Sequence, residues 1–140
     1  MNNKIYSCLW FDGQAKQAAE FYCGIFKNSK ITTDTPMVVN FELDGRKFMG
    51  LNGGPMFTFN EAVSFVVDCD TQEEIDYYWG KLTNDGQESQ CGWCKDKFGL
   101  SWQIVPSIIG TLMSNPDKAQ SVMQVIMKSK KFNIEELINA

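Results

Sequence analysis

The sequence predicts an α+β fold in which two tandem βαβββ modules form a cup-shaped sheet, plus C-terminal helices. The first observation is an internal repeat: residues 9–12 (LWFD) align with residues 65–68 (FVVD), and an aromatic pair follows each segment. The second is that each copy switches between alternating and helical hydrophobic periodicity, which is typical of mixed strands and helices. The third is the length of 140 residues, which suits a single domain. We therefore assign residues 1–140 to one domain, with modules at 1–54 and 61–106 and a helical tail at 107–140.

The first module is predicted to contain a strand, an amphipathic helix and two further strands, at residues 5–11, 14–26, 38–43 and 46–52. The last two strands flank Asp44-Gly45, which predicts a two-residue hairpin turn because both turn positions favour positive φ. The NGGP sequence at residues 52–55 interrupts the pattern and predicts the linker between the modules.

The second module is predicted to contain a strand, a helix that ends near residue 83, and three strands, at residues 63–68, 87–90, 92–95 and 100–105. Asp70 is expected to cap the helix, because Glu73 follows three residues later as in a capping box.

The tail carries helix signals that lie outside the repeat. Asn115-Pro116 predicts a helix start, since proline favours the first helical position. Asn133 with Glu136 predicts the cap of a last short helix. We expect these helices to cover a sheet edge or a partner subunit.

Composition excludes several classes of partner and of chemistry. Hydrophobic residues make up 44 % of the chain and charged residues 21 %, which is typical of a globular protein. The net charge of −4 argues against nucleic acid or an anionic membrane as a partner, because both attract basic surfaces. The chain has no histidine, which excludes Ser-His-Asp and Cys-His catalysis and imidazole metal sites.

Cysteine usage and hydropathy indicate the compartment. No apolar run is long enough to span a bilayer, and the N-terminal residues lack the apolar stretch of a signal peptide. The five cysteines are an odd number, so we expect reduced thiols and a cytoplasmic protein. The Cys91-x-x-Cys94 spacing would suit redox or zinc chemistry, but residues i and i+3 of a strand point to opposite faces, which favours a structural role.

Three segments carry a resemblance to a known family. They are residues 9–22 with LWFDG and AEFY, residues 48–55 (FMGLNGGP), and residues 91–106 with CGW and DKFGLSWQIVP. With the paired βαβββ modules they resemble the PhnB-like branch of the vicinal oxygen chelate superfamily, which includes glyoxalase I and bleomycin-resistance proteins. The resemblance covers essentially the whole chain. Members of this branch often carry the name 3-demethylubiquinone-9 3-methyltransferase, which implies methyl transfer.

The resemblance also implies where a metal would bind, on the first and last strands of each module. These positions hold Ser7, Cys8, Met49, Gly50, Val63, Ser64 and Gln103. Only Gln103 stands where the superfamily has a glutamate ligand, and one neutral amide does not hold a divalent ion. We therefore expect no metal and no other cofactor. Gly53-Gly54 precedes proline rather than a helix, so it does not predict an adenosylmethionine loop of the common type.

Strand alternation selects the candidate ligand-binding residues. In residues 38–43 it places Asn40 and Glu42 on one face, and in residues 100–105 it places Ser101, Gln103 and Val105 together. A face that combines aromatic side chains, methionine and a few amides suits a small, mostly apolar ligand. The candidates are Trp10, Asn40, Glu42, Met49, Ser64, Trp93 and Gln103.

Two function classes remain open at this point. One is a metal-free module that binds a small, mostly apolar molecule, as bleomycin-resistance relatives do. The other is an enzyme, either the methyltransferase of the family name or a metal-independent isomerase or lyase, with Glu42, Asp12 and Asp68 as acid–base candidates. Helix capping would also explain Asp12 and Asp68. We expect a homodimer, because a single curved sheet leaves open edges and Met113, Met123 and Met127 could pack across subunits.

Overall fold

The computed structural model describes residues 4–140 and confirms the α+β class. The chain divides into two compact units, unit 1 ending at Phe59 and unit 2 spanning Asn60–Ala140. Each unit contains one four-stranded mixed sheet with the same strand arrangement, β1-β4-β3-β2 in unit 1 and β5-β8-β7-β6 in unit 2. Within the described residues, no helix is long and apolar enough to cross a membrane.

Unit 1 contains β1 (Ser7–Phe11), α1 (Ala15–Ile25), β2 (Lys30–Asp34), β3 (Val38–Leu43) and β4 (Arg46–Asn52). Its core forms because α1 packs on β3 and β4, where every second residue of β3 is buried. Asp44 and Gly45 join β3 to β4 with φ of 52° and 77°, which confirms the predicted hairpin turn. β1 is parallel to β4, and the other neighbours are antiparallel.

Unit 2 contains β5 (Ser64–Cys69), α2 (Gln72–Thr83), β6 (Gln87–Glu88), β7 (Trp93–Lys95) and β8 (Ser101–Pro106). Ile75, Trp79 and Leu82 of α2 are buried at spacings of three and four residues, on the face toward the sheet. Trp102 and Ile104 of β8 are buried on the same side of the sheet.

The tail folds as α3 (Ile109–Met113), α4 (Ala119–Lys128) and α5 (Ile134–Ile138) within unit 2. Its core consists of Val122, Phe132 and Leu137. The tail is also held by hydrogen bonds to the rest of the unit: Gln72 donates to the carbonyl of Phe132 and accepts from the amide of Ile134.

Local details differ from the sequence expectations at helix starts. Thr71, not Asp70, caps α2: its hydroxyl accepts from the amide of Glu74, and the Glu74 carboxylate accepts from the amide of Asp70. The capping box is therefore shifted by one residue, because threonine and glutamate occupy the same spacing as the aspartate and glutamate just before them.

The remaining differences concern the caps of α1 and α4. The first amide of α1, that of Ala15, donates to Asn52 at the end of β4, so Asp12 does not cap this helix, and Asp68 lies inside β5. Asn115-Pro116 begins a turn, in which Asn115 accepts from the amide of Asp117, and α4 starts later. The cap at Asn133 is confirmed, since its side chain accepts from the amide of Glu136.

Candidate functional site

Each sheet has one face covered by its helix and one face turned away from it, called the open face below. In unit 2 the strand register places two rows of side chains across the open face of β5, β8 and β7. One row is Val66, Gln103 and Trp93, and the row beside it is Ser64, Ser101 and Lys95. The structure therefore brings the candidates Ser64, Trp93 and Gln103 together on one surface, and Ser101 shares the face of Gln103, as the alternation predicted.

Gln103 is the polar centre of this surface. Its amide nitrogen Nε2 donates to the hydroxyl of Ser64 at 3.0 Å, which fixes the orientation of the carboxamide. Val66 and Trp93 flank it on the neighbouring strands, and Val66 is 57 % exposed. An oriented amide between two apolar side chains can hydrogen-bond one polar group of a ligand whose remainder is apolar.

A polar pocket of about 130 Å³ lies beside Gln103 in the same unit. It is lined by Glu61, Gln87, Glu88, Ser89, Trp93, Cys94, Lys95 and Ser101. Ser101 is fully buried, and its hydroxyl has no hydrogen-bond partner among the described residues. Such a group costs free energy unless a ligand or water satisfies it.

The charged groups of this pocket form an ion pair. The Nζ of Lys95 lies 3.3 Å from Oε1 of Glu61. The hydrogen bond from Lys95, with help from its positive charge, holds the pKa of the Glu61 carboxyl below its usual value. Glu88 is engaged separately, since its Oε1 accepts from the indole N–H of Trp79 at 2.7 Å.

The open face of unit 1 carries Asn40 and Met49, which are paired across β3 and β4, with Cys8 beside Met49 on β1. Oδ1 of Asn40 is buried and has no hydrogen-bond partner within residues 4–140. This face therefore combines sulfur-containing side chains with one amide acceptor that a ligand could satisfy.

The polar groups of Glu42 and Trp10 both have partners within unit 1. Glu42 lies in register between Lys30 on β2 and Lys47 on β4, a favourable cross-strand arrangement of opposite charges. The indole N–H of Trp10 donates to the carbonyl of Gly54 at 2.8 Å. This bond uses the one polar group of Trp10 to hold the segment that leaves β4.

That segment does not form a cofactor loop. A Cβ on Gly53 would lie 2.4 Å from the Trp10 ring, so glycine is required for close packing there. A turn at residues 55–56 follows, and no helix begins at this point. The two glycines thus lack the helix N-terminus that binds phosphate in dinucleotide folds.

The open faces do not offer the donors of a chelate metal centre. At the positions where the superfamily places its ligands, the side chains are thiol, thioether, hydroxyl and amide groups at Cys8, Met49, Ser64 and Gln103. Each open face also carries one carboxylate, Glu42 in unit 1 and Asp68 in unit 2. Across residues 4–140, no group of three or more His, Cys, Asp or Glu side chains is placed to hold a metal ion. The neutral oxygen and thioether donors at those ligand positions do not fit a divalent cation.

The thiols of Cys91 and Cys94 are both free, and no disulfide joins them in this structure. Cys91 lies in a turn with φ of 60°, and its amide donates to the carbonyl of Ser129. Cys94 is buried, which raises the pKa of its thiol to about 12. A thiol that stays protonated at neutral pH is a weak nucleophile.

Sequence reasoning placed Ser101 on the correct face but missed it as a site residue, and it missed Lys95 and Glu61. The alternation of Trp93-Cys94-Lys95 carried a signal for Lys95, because it lies two residues after the candidate Trp93 in the same strand and so shares its face. Glu61 carried none, since it precedes β5 and approaches Lys95 only in the folded unit.

The chain is similar to a known protein family in both sequence and structure. The family model described as 3-demethylubiquinone-9 3-methyltransferase matches residues 3–105. A search of curated proteins finds no match. The structure of a PhnB protein from Bacillus cereus, also described as a 3-demethylubiquinone-9 3-methyltransferase, is 32 % identical, with 75 % of this chain and 100 % of that chain covered and a TM-score of 0.69.

Two more distant structures share the fold alone. A protein from Pseudomonas aeruginosa is 16 % identical, with 75 % of this chain and 98 % of that chain covered and a TM-score of 0.63. A fosfomycin resistance protein, FosX, from Listeria monocytogenes is 12 % identical, with 85 % and 98 % covered and a TM-score of 0.57.

Proposed function

The chain belongs to the PhnB-like family described as 3-demethylubiquinone-9 3-methyltransferase, within the vicinal oxygen chelate superfamily, and on that premise we propose that it binds a small, mostly apolar molecule without a metal. The observation that carries this proposal is the oriented carboxamide of Gln103, held by Ser64 between Val66 and Trp93. Here Gln103 accepts from or donates to one polar group of the ligand, and the two apolar neighbours contact the remainder.

A binding assay with Gln103→Leu tests this role. The probe is 1-naphthol, which is apolar apart from one hydroxyl, and quenching of tryptophan fluorescence reports its binding. We expect the variant to bind about threefold to tenfold more weakly, because one hydrogen bond is lost while the volume is kept. Gln124→Leu, on the exposed side of α4, is the matched control and should bind as the unmodified protein does. Absence of saturable binding, or equal loss in both variants, contradicts the proposal.

The metal-free state has its own measurement. The donor set at Cys8, Met49, Ser64 and Gln103 supports it, because none of these side chains supplies a carboxylate or an imidazole. Elemental analysis of protein purified without affinity tag or chelator should give well under one equivalent of Zn, Ni, Mn or Fe per chain. Stoichiometric metal that survives dialysis and is lost in Gln103→Ala would overturn it.

Methyl transfer is the second candidate, and the family description favours it. Titration calorimetry with adenosylmethionine separates the two functions, since a methyltransferase should bind this donor at micromolar concentration. Binding that survives Gln103→Leu would place the cofactor elsewhere and would favour the enzyme. A metal-independent isomerase or lyase would not bind adenosylmethionine, and it would convert its bound small molecule into a product.

We also place the protein in the cytoplasm as a homodimer. All five cysteines are free thiols, which suits a reducing compartment. Met123 and Met127 on α4 are 42 % and 64 % exposed, and exposed methionines are common at protein interfaces. Light scattering at micromolar concentration should give about twice the chain mass of 15.9 kDa. A species of single-chain mass would contradict the dimer.

A further inference from the structure

The pocket in unit 2 beside Gln103 has features that the apolar ligand of the proposed function does not use. Its volume of about 130 Å³ is enough for a small organic molecule. Its lining is polar and charged, in contrast to the Val66 side of Gln103.

Ser101 supplies an unused hydrogen-bond donor to this pocket. Its side chain is fully buried, it lines the pocket, and its hydroxyl has no partner among the described residues. Its cross-strand neighbour on β7 is Lys95, and both residues line the pocket, so the pocket contains a hydroxyl and an ammonium group. A hydroxyl beside an ammonium is a suitable donor pair for an oxyanion.

Lys95 is held at present by a partner that can be displaced. Glu61 lies outside the sheet, before β5, and its side chain is 64 % exposed, whereas that of Lys95 is 31 % exposed. Exposed ion pairs of this kind contribute little free energy, so an external carboxylate can compete with Glu61. The second carboxylate of the lining, Glu88, accepts from the indole of Trp79 on α2.

We propose that this pocket binds a small aliphatic carboxylate, with Lys95 pairing with the carboxylate in place of Glu61 and Ser101 donating a hydrogen bond to it. Glu61 thus acts as an internal competitor that occupies Lys95 when the ligand is absent. This site goes beyond the proposed function, because it uses charge where the Gln103 surface uses apolar contact.

The test uses butyrate, with six non-hydrogen atoms, and its neutral counterpart butyramide, and intrinsic tryptophan fluorescence follows binding because Trp93 lines the pocket. The unmodified protein should bind butyrate saturably and butyramide at least tenfold more weakly, because a charged hydrogen bond is lost. Lys95→Met should weaken butyrate binding by a factor of ten or more, whereas Lys95→Arg should retain it. Ser101→Ala should weaken it about threefold to tenfold.

Glu61→Gln tests whether Glu61 competes with the ligand for Lys95, which a purely structural ion pair would not do. Removal of the competitor should tighten butyrate binding, by up to about fivefold, while leaving butyramide unchanged. Equal binding of butyrate and butyramide, no tightening in Glu61→Gln, or no binding to either protein overturns the proposal. Binding of 1-naphthol should be the same in Glu61→Gln and in the unmodified protein, because Glu61 lies outside the sheet, so failure here is distinct from failure at Gln103.

Discussion

Asp96 is the residue whose substitution most directly tests how unit 2 is held in shape. Its side chain is 3 % exposed and lies in the turn from β7 to β8, just before Ser101 and Gln103. Oδ1 accepts from the amides of Phe98 at 2.8 Å and Leu100 at 3.1 Å, and Oδ2 accepts from the indole N–H of Trp102 at 2.9 Å.

Asp96→Asn keeps the shape of the side chain but removes its charge and one acceptor. If the carbonyl oxygen serves the two amides, the new NH₂ group faces the indole N–H of Trp102, and two donors oppose each other. Losing a hydrogen bond to a charged group and leaving a buried donor unsatisfied costs about 3 kcal/mol in total, since each contribution is about 1–3 kcal/mol and they overlap.

Urea unfolding measures this loss as a lower midpoint at unchanged slope. Asp12→Asn is the matched control, because Asp12 is exposed and caps no helix, so its effect should stay within about 0.5 kcal/mol. A double-mutant cycle with Trp102→Phe should give a coupling energy of about 1–2 kcal/mol. A loss below about 1 kcal/mol in Asp96→Asn, or additive effects in the cycle, would refute the reasoning.

Three substitutions and one change of pH test the fold further. Gly92→Ala should destabilise the protein by about 2 kcal/mol or more, because Gly92 has φ of 82° and a Cβ would lie 2.4 Å from a ring carbon of Phe132. Gly80→Ala, where α2 leaves open space, should stabilise it by up to about 1 kcal/mol. Thermal unfolding of the two variants compares these effects. Burial raises the thiol pKa of Cys69 and of Cys94 from 9.0 to about 12. Between pH 9 and 12 the unfolded chain therefore loses protons that the folded protein keeps, so the free energy of unfolding should fall across this range. Urea midpoints measured from pH 9 to pH 12 test this. Thr71→Ala should cost about 1 kcal/mol through loss of the α2 cap, again by urea unfolding.

Strand alternation explains why one face of each sheet could be predicted from the sequence. The period of a strand is two residues, so the buried Val39, Phe41 and Leu43 require Asn40 and Glu42 to lie opposite them. The same argument placed Gln103 correctly. The two-residue turn at Asp44-Gly45 pairs Leu43 with Arg46, so the β3–β4 register follows from local sequence alone.

The features that the sequence could not supply depend on polar or long-range contacts. β2 (Lys30–Asp34) was not located, because four of its five residues are exposed and it therefore lacks a hydrophobic pattern. The α1 amide of Ala15 is bonded by Asn52, which is distant along the chain and carries no local capping signal. The pairing of Lys95 with Glu61 likewise arises only when the segment before β5 folds back toward β7.

The two units share a topology but present different chemistry on their open faces. In unit 1, Met49 lies between Cys8 and Asn40, and the neighbouring row of the same face holds Lys30, Glu42 and Lys47. In unit 2, the row beside Gln103 holds Ser64, Ser101 and Lys95. Hydrogen-bonding groups specify the orientation of a ligand, whereas apolar groups contribute contact area with little directionality. If the proposed function holds, we expect substitutions at Gln103 to change which molecule binds more than substitutions at Met49, whose flexible thioether accommodates many shapes.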